Sequence, residues 1–258
     1  MSPTVRLVLQ RGALVVLVLA LWQLAVVTGV FSANTLPTIP AFGDALVRTL
    51  PSGDYWTAIW QTMWCWAVGL AISIAIAVPL GMLAGSTPFA RRLTTPLIDF
   101  LRTIPTVILI PLAALLWGST STMKIVLIVL ASVWPMLIQS AYGIRAVDPV
   151  ARQTFAAYGI PWNERVRFLY LPSASPYLAT GLRLSAIMSL LVAIGVEIIG
   201  SAPGIGYQIG VRQANALVGA SFVYLLTAAV LGLLITFVFT RLERRALRWH
   251  PSTREVTR

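Results

Sequence analysis

The sequence predicts an all-α integral membrane protein of six transmembrane helices, and three observations predict it. Only 10% of the 258 residues are charged while 58% are hydrophobic, and the mean hydropathy is +0.84. Soluble domains carry about a quarter charged residues, so this chain has too little polar surface to face water on all sides. Apolar stretches of about 20 residues, the length of a helical span, recur near 12–31, 58–85, 97–117, 123–143, 179–200 and 220–240. The basic residues then alternate with the spans. With a cytoplasmic N-terminus, inner segments or inner helix ends hold Arg6, Arg11, Arg91, Arg92, Arg102, Arg145, Arg152, Arg165, Arg167, Arg183, Arg241, Arg244, Arg245, Arg248, Arg254 and Arg258. Outer segments hold only Arg48, Lys124 and Arg212. This is the asymmetry of the positive-inside rule, and five or seven helices would break it. The net charge of +11 therefore reads as a topology signal, not as a nucleic-acid surface, and both termini are expected in the cytoplasm.

The first stretch, 12–31, follows Arg6 and Arg11 as a signal peptide would. At about 20 residues it is too long for the apolar region of one, and no small-x-small cleavage site follows, so it reads as the first span. The outer segment 32–57 bears Pro and Gly and is expected to pack over the external face. The stretch 58–85 is long enough to tilt. Trp56, Trp60, Trp64 and Trp66 gather at its outer start and Trp117 at the outer end of 97–117, where amphipathic indoles favour the interface. Plain helix packing would account for one or two of them. Pro79, Pro105, Pro111 and Pro135 would kink their helices, and Gly81 and Gly85 would permit close helix packing. The outer segment 201–219 contains Gly204-Ile205-Gly206-Tyr207, read as an external turn. No separate soluble domain is visible, so 1–258 is a single transmembrane domain.

Several chemistries are excluded. Cys65 is the only cysteine, and the only histidine, His250, lies in the polar tail, so disulfides and Cys- or His-based metal sites have no partners. A phosphate-binding loop of the Gly-x4-Gly-Lys-Ser/Thr type needs its lysine, and the only lysine, Lys124, follows Met123. If ATP drives this protein, another subunit hydrolyses it, and no cofactor is expected in this chain. Secondary transporters couple to ions through intramembrane carboxylates. Asp99 lies three residues before Arg102, on one helix face, and reads as a local ion pair. Glu197, in Ile194-Gly195-Val196-Glu197-Ile198-Ile199-Gly200, is costly in lipid without a partner or a wet face. Two readings of it stand open, a residue lining or gating a pathway and a structural anchor. A single isolated carboxylate argues against ion coupling, and the lack of clustered His, Asp, Glu or Lys argues against catalysis. The spans offer almost no basic residue away from their ends, so an anion-holding site inside the membrane is not evident.

The inner segment 144–178 is the most informative. Asp148 before Pro149 marks a helix start, Val150, Phe155 and Tyr158 give a short helix an apolar face, and Gly159 is a candidate C-terminal cap. A second short stretch, 162–171, ends at Leu171-Pro172. Two short helices exposed on this face form a docking surface for a soluble partner.

This segment resembles the cytoplasmic EAA loop of ABC importer permeases, whose pattern is EAA, three residues, Gly, nine residues, Ile-x-Leu-Pro. Here Gly159 is followed after nine residues by Leu169-Tyr170-Leu171-Pro172, while the EAA position reads Gln153-Thr154-Phe155, a departure. Leu36-Pro37-x-x-Pro40, Val78-Pro79-Leu80-Gly81, Arg102-Thr-Ile-Pro105, Ile110-Pro111-Leu112, Gly143-x-Arg145-x-Val-Asp148-Pro149, Gly181-Leu-Arg183, Glu197 and Gly204-Ile-Gly206-Tyr207 extend the likeness. It is similar to the nitrate/sulfonate/taurine/bicarbonate group. The resemblance implies a type I importer permease with a coupling helix between spans 4 and 5, at about 148–165. It implies ATPase-coupling roles for Asp148, Gln153, Ala156, Ala157, Gly159, Leu171 and Pro172. It also implies two cytoplasmic ATPases that bind ATP and Mg, an external substrate-binding protein delivering substrate to 32–57 and 201–219, and a second permease copy, a homodimer in the simplest case. Substrates of this kind are small sulfonate, taurine or nitrate-type anions, with riboflavin or a pyrimidine precursor as alternatives. The location implied is the bacterial cytoplasmic membrane. An ion-coupled transporter would differ in one cheap respect: an ionophore, not vanadate, would stop uptake.

Overall fold

The computed structural model describes residues 3–32 and 34–248. His250, Arg254 and Arg258 lie outside the described residues, as do the side chains of Arg6 and Arg11. All regular structure among the described residues is helical: α1 (Pro3–Val27), α2 (Ile39–Thr49), α3 (Gly53–Ser86), α4 (Pro88–Leu101), α5 (Ile110–Trp117), α6 (Ser121–Arg145), α7 (Pro149–Ala157), α8 (Trp162–Arg165), α9 (Leu171–Ile199), α10 (Ile205–Ala214) and α11 (Val218–Ala246). Four helical runs are long and apolar enough to cross a bilayer: α3, α6, the run Trp162–Ile199 and α11. The pair Pro88–Leu101 and Thr106–Trp117, bent by 67°, makes a fifth. The first expected span falls on α1, whose apolar stretch Gly12–Val27 is shorter than these.

The centre is a three-helix stack of α3, α6 and α9, and small residues permit it. Along α3, Gly69, Ser73, Ala77, Gly81 and Ala84 are buried at near-helical spacing. A Cβ on Gly85 would stand 3.0 Å from the Ala141 Cα, and the Gly81 backbone lies as tightly against Leu137 and Ser140. These glycines therefore do what Gly-x3-Gly pairs do between membrane helices, bringing two backbones into contact. Hydroxyls join the same helices. Ser73 and Ser132 share a hydrogen bond of 2.6 Å, and Ser185 Oγ donates to the Ser132 carbonyl at 2.8 Å. On the other flank α11 is joined to α9 by the Arg183–Glu243 ion pair at 3.0 Å.

Proline effects differ by position. Pro79 and Pro135 lie inside α3 and α6, which continue through them. Pro105 and Pro111 do not kink a continuous helix. The span expected at 97–117 breaks over Arg102–Pro105, because a residue before proline is driven out of the helical region and proline offers no N–H to the turn behind it. A 3₁₀ turn over Thr106–Leu109 follows, and Pro111 occupies the first turn of α5. Asp99 and Arg102 form the expected local pair, 3.0 Å apart.

At one end of the bundle the two expected outer segments meet. Phe42, Ala45 and Leu46 of α2 pack on a buried cluster of Tyr55, Ala58, Ile205, Ile209, Val223 and Tyr224. Trp22 Nε1 donates to the Pro37 carbonyl at 2.8 Å, and the Ile39 N–H donates to Gln23 Oε1 at 2.8 Å, so α1 is fastened to this end. Trp56, Trp60 and Trp64 point outward from the start of α3, while Trp66 turns inward and donates to the Ala186 carbonyl at 2.9 Å. Three indoles are thus exposed, as residues at a membrane interface would be, and one serves packing.

Candidate functional site

Two places stand out, one at each end of α9. The first is the inner segment. Asp148 caps α7, its side chain accepting from the Val150 N–H at 2.9 Å, with Pro149 in the first turn. The helix closes in a Schellman arrangement: the Ile160 N–H donates to the Phe155 carbonyl at 3.2 Å and the Gly159 N–H to the Ala156 carbonyl at 3.1 Å. Gly159 has φ +65°, a conformation that costs residues with a Cβ. No residue of α7 is buried. Gln153, Ala156, Ala157 and Gly159 are exposed, and Val150 and Tyr158 are 67% and 80% exposed. Within α7 only Ala151 and Phe155 are half-buried.

Leu171-Pro172 does not end the second short helix, as its sequence led one to expect. From α8 the chain continues through a π turn, Val166–Tyr170, directly into α9. The Pro172 ring would strike the carbonyl four residues back in a regular helix, and widening the turn relieves this. The Leu171 N–H donates instead to the Val166 carbonyl. Trp162–Ile199 is therefore one helical run of 38 residues.

The second place lies at the far end of that run. Glu197 is fully buried, and so is Lys124, whose Nζ stands 2.6 Å from Glu197 Oε1. Lys124 was expected in an outer segment. It lies in the first turns of α6, with its side chain turned into the protein toward a carboxylate and two carbonyls. Its three donors have three acceptors: Glu197 Oε1, the Pro203 carbonyl at 2.7 Å and the Gln61 carbonyl at 3.2 Å. The carboxylate is matched in turn. The Thr62 hydroxyl donates to it at 2.8 Å and the Gly206 N–H at 2.9 Å, while Thr62 Oγ1 accepts from the Ile205 N–H at 2.9 Å. The cluster is neutral overall and hydrogen-bonded throughout, which is the condition for keeping charges away from water.

The Gly204-Ile205-Gly206 stretch owes its composition to this cluster. Gly204 has φ +155°, and a Cβ there would fall on the Glu197 carboxylate. A Cβ on Gly206 would stand 2.7 Å from the Glu197 Cβ. Gly204 is the residue before α10 and Gly206 lies within it. The expected external turn is thus a lid of bare backbone over a buried ion pair.

Sequence reasoning singled out Glu197 and missed Thr62, Lys124 and the Pro203 carbonyl. The missed signal was Lys124 itself, the one lysine among 19 basic residues, opening one apolar span while Glu197 closes another. An intramembrane charge calls for a named partner, and these two were available to each other.

The sequence pattern of binding-protein-dependent transport system inner membrane components matches residues 77–248. The chain is 30% identical over 239 residues to SsuC of Escherichia coli, a permease protein named for aliphatic sulfonates transport, covering 91% of this chain and 89% of that one. It is 25% identical over 248 residues to the taurine transport system permease protein TauC of the same organism, covering 94% and 90%. Among solved structures, the inward-facing MetNI methionine ABC transporter contains a similarly folded chain: TM-score 0.62, 22% identity, 78% of this chain and 95% of that one. The chain accordingly belongs to the family of binding-protein-dependent transport system inner membrane components, and is an integral inner-membrane permease subunit of an ABC importer.

Proposed function

We propose that this permease carries a small sulfonate, taurine or nitrate-type anion inward, powered by ATP that a separate cytoplasmic ABC ATPase binds with Mg and hydrolyses. In this reading α1 completes six spans, both termini and the segment 144–178 face the cytoplasm, and no nucleic acid is involved. An external binding protein hands substrate to the end formed by 32–57 and 201–219, a second copy of the chain supplies the other half of the passage, and selectivity rests with the binding protein.

The observation that carries the proposal is the construction of Trp162–Ile199. The helix α7, none of whose residues is buried, sits immediately before this run, and Glu197 lies at the run's other end. At 1.5 Å per residue, the 38 residues span roughly 57 Å. A push on α7 by a closing ATPase would be passed along a helix that is bonded at its far end to α3, α6 and the lid before α10. Asp148, Gln153, Ala156, Ala157 and Gly159 form the docking element, and Leu171 and Pro172 the joint that hands motion to α9. Glu197 acts by anchorage: its hydrogen-bonding capacity is taken up by Lys124, Thr62 and Gly206, which leaves no free carboxylate for ion coupling.

The test is uptake of a labelled sulfonate by vesicles holding the permease, its ATPase and its binding protein. Replacing Gly159 by leucine is expected to abolish ATP-driven uptake while the permease still folds. Normal ATP-driven uptake after deletion of 150–165 would refute the coupling role.

A further inference from the structure

We infer that the cavity at the α7 end of the bundle is a binding site for the phosphate headgroup of an anionic phospholipid. The cavity is about 580 Å³ and is framed by the end of α3, the start of α4, the end of α6 and the α7–α8 segment. Arg91, Arg145 and Arg152 line it from three different elements. No acidic side chain lines it, and none of the three arginines forms an ion pair among the described residues. Arg91 and Arg145 also border the adjoining smaller cavity, whose acid, Asp99, is paired with Arg102. Three arginines in one lining without an acid among it suit a polyvalent anion, and the planar fork of arginine suits phosphate oxygens; Arg145 also lies over the Tyr142 ring and donates to the Ala141 carbonyl at 3.3 Å.

The walls select the source of that anion. Leu83, one of the lining residues, is 64% exposed on a membrane-spanning helix, so the cavity borders the surface along which acyl chains run. Trp162 and Tyr170, also in the lining, pack with ring centroids 5.3 Å apart, and both are residue types that favour the headgroup level. The volume is several times that of a free tetrahedral oxyanion, whereas a phosphoglycerol headgroup with the start of its chains would fill it. Basic pockets between spans at a membrane surface bind lipid headgroups in this way. The inference requires only that the chain lies in a bilayer and is independent of the coupling role given to α7.

The test is native mass spectrometry of the full-length chain titrated with phosphatidylglycerol or phosphatidylcholine. The account expects phosphatidylglycerol to be retained on the order of tenfold better. It expects the preference to vanish in the combined Arg91→Gln, Arg145→Gln, Arg152→Gln variant and to persist in an Arg241→Gln, Arg244→Gln, Arg245→Gln control. Should the triple variant fail to fold, Arg152→Gln alone, on exposed α7, is expected to weaken the preference severalfold. Equal retention of the two lipids by the unaltered chain would overturn the proposal. So would a preference untouched by the cavity substitutions, one equally lost in the control, or one displaced by inorganic phosphate, which would make a free oxyanion the ligand.

Discussion

Lys124 and Glu197 bring opposite charges into a place that water does not reach, and each is tolerable only because of the other. Removing one partner of such a pair costs about 3–5 kcal/mol, since the remaining charge is left buried and unpaired. Glu197→Gln and Lys124→Met are each expected to lower thermal stability by that order, read as a shift in the unfolding midpoint of the purified protein. The combined variant is expected to lose clearly less than the sum of the two, because it leaves no bare charge. Strict additivity would mean that the pair is not coupled. Gly204→Ala belongs with these: it places a methyl group on the carboxylate and forces an alanine into a backbone region reserved for glycine. The backbone alone costs about 1–3 kcal/mol, and the collision adds to it. The same unfolding measurement checks it, with Gly210→Ala, where a Cβ meets open space, as the neutral comparison. The carboxylate was legible in the sequence and its partner was not, since 73 positions separate the two and only packing of α6 against α9 brings them together.

At the scale of elements, α7 and its join to α9 carry the functional reading. The helix start at Asp148 and stop at Gly159 were legible because caps are local: a carboxylate two residues before the N–H it accepts, and a glycine where the chain turns left-handed. The π turn was not legible, because Leu171-Pro172 reads as a helix end when the next helix is unknown. The bend between α4 and α5 was hidden similarly, inside what reads as one apolar stretch. Gly159→Leu is expected to cost about 1–2 kcal/mol from its left-handed backbone, too little to unfold the bundle, yet to reposition Tyr158 and Ile160 beneath a docked partner. Gly159→Asn, which tolerates that conformation, is expected to retain most of the uptake that the leucine variant loses, as measured in reconstituted vesicles. Equal loss in both variants would shift the cause from backbone geometry to side-chain bulk at the contact.

For the whole molecule, composition settled the medium, and the apolar stretches at 58–85, 123–143 and 220–240 fall on α3, α6 and α11, whereas 97–117 is a bent pair and 179–200 is only the later part of the run Trp162–Ile199. What composition could not convey is which helices form the centre. That is decided by small residues on α3 and α6 and by the serine cluster, whose members are too ordinary to stand out in a sequence. The resulting molecule holds one charge pair locked at the α10 end and an unburied helix at the α7 end, joined by α9. In the proposed reading this chain supplies a passage and a lever, and a separate ATPase supplies the drive. The direct measurement is uptake of a labelled sulfonate into vesicles containing this chain alone, with proton and sodium gradients imposed. No accumulation is expected until the partner ATPase, the binding protein and ATP are all supplied, after which vanadate stops it and an ionophore does not. Gradient-driven accumulation by the lone chain would contradict the account.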